Sequence, residues 1–187
     1  MTRPVPPPLR LPLPLAHRRA AAVLAALTAL VVPIGGCSEM SAQNDPQVSP
    51  LSDEESRAQV VDAAREIVRT AGLDITYANL QWEWCNDQGE PPFRTKVELA
   101  FVVPPGSTGQ AAGTEIATTV AAQPGWEPGP PPGQHSAGDV VHKGNVWATV
   151  GPGNNPDRGG IVVFGECRNM NDHRDTGGVE ITDEIRG

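Results

Sequence analysis

Ala78-Asn79-Leu80-Gln81-Trp82-Glu83-Trp84-Cys85-Asn86 is the stretch whose reading decides the fold. Leu80, Trp82 and Trp84 fall on one side and Gln81, Glu83 and Cys85 on the other, which is the period of a half-buried strand. After Asp87-Gln88-Gly89-Glu90-Pro91-Pro92 the alternation resumes from Arg94 to Val103, through Val97, Leu99 and Phe101. Two such runs joined by a proline-stiffened connection predict a long β-hairpin. One face of that hairpin is apolar, so the segments on either side of it have to provide a cover.

Upstream, Ser52-Asp53-Glu54-Glu55 has the form of a capping box, with Ser52 as N-cap and Glu55 three residues on. Acidic residues in this first turn suit the helix dipole. Val60, Val61, Ala64, Ile67, Val68 and Ala71 then recur at helical spacing, and Gly72 ends the run. Core packing is the expected use of this stripe; its acidic polar face speaks against a helix lying in a membrane.

Downstream, Pro104-Pro105-Gly106 stops the second strand, and Ser107 or Thr108 caps a helix to about Gln123 with Ala112, Ile116, Ala117 and Val120 on its apolar side. Gly113 weakens it. Pro128 to Gly133 forms a proline-glycine loop. Runs from Asp139 to His142 and from Val146 to Val150 flank the tight-turn pair Gly144-Asn145, and a last strand spans Ile161 to Cys167. The predicted order is α-β-β-α-β-β-β. This is an α+β fold with an antiparallel sheet of about five strands and two helices on one face. The tail from Arg168 to Gly187 is polar; Val179-Glu180-Ile181 either adds a strand or hangs free.

The N-terminal 36 residues have a different character. Arg3, Arg10, His17, Arg18 and Arg19 lie in a stretch with no acidic residue, and the uncharged run Ala20 to Ile34 follows. A basic start, a short apolar middle and small residues before a cut are the order of a secretory signal. The apolar run falls short of the roughly 20 residues a membrane span needs. The predicted organisation is a signal peptide over 1–36, a flexible linker over 37–51, acylated if Cys37 ends a lipobox, and an exported domain over 52–187. The rival reading is an ordinary secretory signal in which Cys37 is incidental.

Composition narrows the partners. Fourteen Lys+Arg, less the four arginines of the leader, leave ten against 22 Asp+Glu, a net charge near −12 for the remaining chain. Nucleic acid is a poor partner for such a surface, and anionic headgroups repel it. Of three cysteines, setting Cys37 aside leaves Cys85 and Cys167. An even pair in an exported chain reads as a disulfide. Its loop of about 83 residues is worth roughly 4–5 kcal/mol in the chain-entropy model. The alternative is two free or metal-binding thiols, a weak zinc case without a nearby CxxC or HxxxH partner.

Ile34-Gly35-Gly36-Cys37 resembles the bacterial lipobox. The resemblance implies cleavage before Cys37, a diacylglycerol thioether on its sulfur, and membrane attachment through lipid. Two or more acyl chains, at about 0.8 kcal/mol per buried methylene, make such anchoring stable. With Trp82-Glu83-Trp84-Cys85, the Gly89-Glu90-Pro91-Pro92 turn and Gly125-Trp126, the chain resembles the small cell-envelope lipoproteins of mycobacteria and their relatives, those of the LppA type. This implies a monomeric α+β lipoprotein on the outer face of the cytoplasmic membrane. Such families mostly lack an assigned activity, so only the Cys37 anchor and a Cys85–Cys167 bridge carry over.

Motifs with a mechanism are scarce: GxSxG, HExxH, GxxxxGK[ST] and CxxC are all absent. Gly151-Pro152-Gly153-Asn154-Asn155-Pro156 lacks a third glycine and a following helix, so a hairpin loop explains it better than a phosphate cradle. His135-Ser136 with Asp139 would seed a base and a nucleophile, but a loop histidine beside a serine is commonplace. Asp139 with His142, or Asp172, His173 and Asp175, would offer metal ligands, and solvated charge accounts for them more simply. Glu83 and Glu98 are sheet carboxylates and do not make a glycosidase. No cofactor, metal or catalytic set is expected. Trp82, Trp84, Trp126 and Trp147 either pack in the core, the first two under the leading helix, or form a surface cluster for a sugar, glycan or partner protein. The expected role is a lipid-anchored, non-enzymatic envelope protein that binds an envelope protein or small ligand or serves structurally. The alternatives are an envelope hydrolase using His135 or His142 and an accessory subunit of a membrane protein.

Overall fold

The computed structural model describes residues 49–187. The leader, Cys37 and most of the expected linker lie outside the described residues.

Helix α1 (Asp53–Ala71) starts as its sequence requires: Ser52 Oγ accepts from the Glu55 N–H at 3.2 Å, while Glu55 Oε2 accepts from the Ser52 N–H at 2.8 Å. Gly72 closes it in the left-handed conformation at φ 62°. Strands β1 (Ile75–Trp84) and β2 (Phe93–Val102) form the hairpin, with Trp84 opposite Phe93, Trp82 opposite Thr95 and Leu80 opposite Val97. Helix α2 (Gly109–Ala121) is capped by Thr108, whose hydroxyl accepts from the Ala111 N–H. There follow β3 (Glu127–Pro128), β4 (Asp139–Lys143), β5 (Val146–Pro152), β6 (Arg158–Phe164), β7 (Val179–Glu180) and α3 (Thr182–Arg186). The sheet is antiparallel throughout, in the order β3-β4-β5-β6-β2-β1-β7.

The α+β class agrees with the sequence, but the count differs: the described residues hold seven strands and three helices where about five and two were expected. Both additional strands are two-residue edges, too short for any alternation to register. The last long strand stops at Phe164, so Cys167 lies beyond it, in a loop.

Helices α1 and α2 cover one sheet face, and the core lies between them. Val60, Ala64 and Ile67 of α1 and Ile116 and Val120 of α2 meet Val97, Leu99, Phe101, Ile161 and Val163. Gly113, which weakens α2 as an isolated helix, is what lets α2 approach the sheet: a Cβ there would lie 3.1 Å from the Gly151 Cα. The other face carries Glu83, Arg94, Lys96 and Glu98, with Lys96 Nζ 3.6 Å from Glu83 and 3.0 Å from Glu98.

The polar tail is docked rather than free. Strand β7 pairs with Asn79 and Leu80, and Ile181 and Ile185 are 5% and 3% exposed. Arg57 and Arg65 of α1 bind the Glu184 side chain, and Arg186 donates to the Ile75 carbonyl. Two isoleucines among charged residues are too sparse a pattern to read as a core element, yet they suffice once β1 offers an edge.

Candidate functional site

The fold has two poles. At one, β1 ends, β2 begins and the N-terminal arm enters; at the other, β2 ends, α1 terminates and α2 begins.

The far pole carries a groove of about 490 Å³ between the last turn of α1, the end of β2 and the first half of α2. Phe101, Ala112 and Ile116, which are 0%, 4% and 5% exposed, form its apolar floor, with Leu73 and Pro104 at its sides. Asp74 and Glu115 stand exposed on its rim, and the side chain of neither makes an ion pair or hydrogen bond among the described residues. Close approach at Gly113 seats α2 over β5, and the groove lies where α2 and the end of α1 diverge above the end of β2. Its volume lies within the roughly 300–1,000 Å³ typical of small-ligand sites. A second cleft of about 570 Å³ on the outer flank of α2 is larger but more open, and a third of about 410 Å³ lies on the bare sheet face beside Tyr77 and Glu98.

At the near pole, four chain segments lie side by side. Trp84 pairs with Phe93, Phe93 with Asn169, and Asn169 with Leu51. The arm is clasped: Leu51 N–H donates to Arg168 O at 3.0 Å, and Arg168 Nε donates to Ser49 O at 3.1 Å. Asn169, fully buried, donates to Asp53 Oδ1 at 2.7 Å and to Leu51 O at 3.2 Å. The hydrogen bond from Asn171 leads in holding the Asp53 carboxyl below its ordinary value; burial opposes it, and Asn169 and His173 add to the lowering. A disulfide joins Cys85 to Cys167 across a Cα–Cα distance of 5.9 Å.

The four tryptophans do not share a cleft. The His173 ring, not α1, lies flat on Trp82, with 3.5 Å between centroids and 1° between planes, and it meets Phe93 edge-on. Trp84 is 53% exposed beside the disulfide. Trp126 is buried near Lys143, and its indole N–H, beside the Glu66 carboxylate, makes no well-formed hydrogen bond among the described residues. Trp147 is buried against Phe164, centroids 4.2 Å apart, and Arg94 lies over the far partner of that stack.

The histidines and acids singled out in the sequence are dispersed. His135 sits on an exposed loop, and His142 Nδ1 is 2.8 Å from the Gly129 carbonyl. Asp139 accepts from Gln110 and Thr114 of α2. His173 turns inward, its Nε2 3.0 Å from Asp53 and its Nδ1 3.3 Å from Thr176 Oγ1, so neither ring nitrogen is available to a substrate. Asp172 faces outward to Arg174, whose hydrogen bonds bring its carboxyl down to about 2. Asp172, His173 and Asp175 therefore do not converge, and no group of three His, Cys, Asp or Glu among the described residues is placed to hold a metal. Gly151 and Pro152 end β5, and Gly153 to Asp157 form the hairpin loop to β6. Sequence reasoning missed the roles of Asp53, Asn169 and His173, because Asn169-Met170-Asn171-Asp172-His173 reads as solvated tail; the nearness of Cys167 was its one signal. It also missed the groove, which residues far apart in the chain create.

A one-sided antiparallel sheet roofed by two helices, bridged by a disulfide and entered through a clasped N-terminal arm defines a class of small α+β domain. The chain belongs to the LppJ lipoprotein family: the family model described as "Putative lipoprotein LppJ" matches residues 52–184. Proteins of that name from Mycobacterium tuberculosis, strains CDC 1551 / Oshkosh and H37Rv, are each 35% identical over 159 residues, covering 80% of this chain and 83% of theirs. The Mycobacterium bovis protein of the same name is 36% identical over 129 residues, 69% of this chain and 67% of its own. The resemblance to mycobacterial lipoproteins thus holds, with LppJ as the family. No solved structure matches. Membership brings a membrane-associated envelope setting with it, and no helix among the described residues is long and apolar enough to cross a membrane.

Proposed function

We propose that this chain is an extracytoplasmic lipoprotein, tethered through acylated Cys37, whose domain is a binding module. Its ligand has an apolar body and a positively charged group, either a small molecule or a segment of an envelope protein, and it occupies the groove at the pole away from the tether. The observation that carries this reading is the composition of that groove. Its accessible apolar lining, Leu73, Val102 and Pro104, stands beside two carboxylates that make no ion pair among the described residues. An apolar surface is favourable to cover, and a cation brought to Asp74 and Glu115 adds attraction and selectivity. Binding is favoured over chemistry because His173 and His142 are already bonded within the fold and His135 stands apart from both.

Two measurements test the two halves. Metabolic labelling with an alkynyl fatty acid should mark the wild type and spare Cys37→Ala; equal labelling discards the anchor. In nuclear magnetic resonance titrations, an alkylammonium should shift the amides of Leu73 and Ile116, and an alkyl sulfate of equal chain length should do so much less. Equal response removes the carboxylates from the site, and no response to either removes the groove.

A further inference from the structure

The clasped arm sets the pole of the domain from which the chain leaves toward Cys37. Twelve Cα–Cα steps lead from Cys37 to Ser49, so covalent geometry limits the backbone span from Cys37 to the clasp to about 43 Å. The Arg168 and Asn169 bonds hold Ser49 and Leu51 at the pole that also carries the Cys85–Cys167 bridge. The exposed large apolar side chains of the described domain are Tyr77, Trp84, Met170 and Val179, and two of them belong to this pole. Trp84 lies one rung from Phe93, and Met170 directly follows Asn169, the next rung across. Adjacent strands lie about 4.8 Å apart, so Trp84 is only some 15 Å from the point where the arm enters.

The domain as a whole is acidic, which disfavours an anionic membrane surface. At this pole, however, Glu83 meets Arg94, Glu166 meets Arg168, and Glu90 and Asp172 both meet Arg174. These ion pairs surround the two apolar side chains. Asp87 at the hairpin turn, Glu54 on the first turn of α1 and Asp175 have no Lys or Arg partner among the described residues, so the apolar side chains and not the charge carry the contact. Tryptophan is the side chain best suited to the boundary between headgroup and hydrocarbon, because its ring is apolar and its N–H seeks a polar partner.

The geometry points to an interfacial contact: Trp84 and Met170 rest in the headgroup region of the membrane that holds Cys37, and they orient the domain so that its groove faces away. This rests on the acyl anchor proposed above. The test uses full-length acylated protein on phosphatidylcholine–phosphatidylglycerol vesicles, with and without acyl-chain bromine, read by tryptophan emission. Wild type should be quenched by brominated lipid, and Trp84→Phe should lose that quenching. Met170→Asp, with Trp84 kept, should shift the vesicle-bound emission to the red. If the protein floats with the vesicles and both forms are quenched alike, or neither is, the interface is overturned and the anchor stands. If it does not float, the anchor falls and the interface with it.

Discussion

Ile185→Ala is the sharpest test of the docked tail, because a tail hanging free would not register it. Ile185 is 3% exposed in the five-residue helix α3, which packs on α1 and β1. The substitution removes three buried carbons at about 0.8 kcal/mol each, or about 2.4 kcal/mol of transfer free energy. Cavities add to this where the surroundings cannot settle, and deep sites reach about 5 kcal/mol. A short peripheral helix can settle, so the expected loss is about 2.5–3 kcal/mol. The neighbouring Arg57–Glu184 and Arg65–Glu184 pairs, with side chains 41%, 40% and 30% exposed, contribute at most about 1 kcal/mol each and do not mask it. In urea, with a slope of about 1–3 kcal/mol/M, the midpoint should fall by about 1–2 M with the slope unchanged. The melting temperature should fall by roughly 10 °C. Val179→Ala, at a side chain 55% exposed, is the control and should stay within about 0.5 kcal/mol. If Ile185→Ala behaves like that control, the docking of α3 and β7 is wrong.

Acid should loosen both ends of the chain. Glu184 is held below its ordinary 4.5 chiefly by the Arg57 hydrogen bonds, and Asp53 below 3.8 chiefly by Asn171. At low pH the unfolded chain therefore binds protons before the folded one does, so this stability is present above about pH 4.5 and is lost as pH falls through the folded values. Hydrogen exchange at Ala78 and Leu51 should quicken over that range, and Glu184→Gln should flatten the response at Ala78. Removing the bridge by Cys85→Ser with Cys167→Ser should cost about 2–4 kcal/mol in urea unfolding, and a loss under about 1 kcal/mol would show that the clasp needs no staple. Gly159→Ala should destabilise by about 1–3 kcal/mol, because its Cβ would fall 1.9 Å from the buried Phe101 ring. Adding Phe101→Leu should recover part of this, and a neutral Gly159→Ala would refute the packing of that ring.

How much was legible depended on whether neighbours along the chain carry the signal. Helix α1 is written in its own residues: the cap Ser52, the stripe through Val60, Ala64 and Ile67, and the left-handed stop at Gly72 all act within a few turns. The hairpin is equally local, since alternation and a proline turn set its register. The tryptophans illustrate the limit. Alternation placed Trp82 on the helical side of the sheet, but only the returning chain shows that a histidine 91 positions later lies on it. Gly113 was legible as a weak point in a helix, while its purpose belongs to Gly151 on another element.

By itself, then, the sequence determined the α+β class, the capped first helix, the long hairpin and the acidic surface. Local periodicity and short-range hydrogen bonding suffice for each of these. Only the tertiary structure decided that the tail is an edge strand and helix, that Asp53, Asn169 and His173 clasp the arm, and that a groove opens opposite it. Those features arise where segments about 25 to 120 residues apart come together. A single side chain there is chosen for a partner that its own stretch of sequence does not contain.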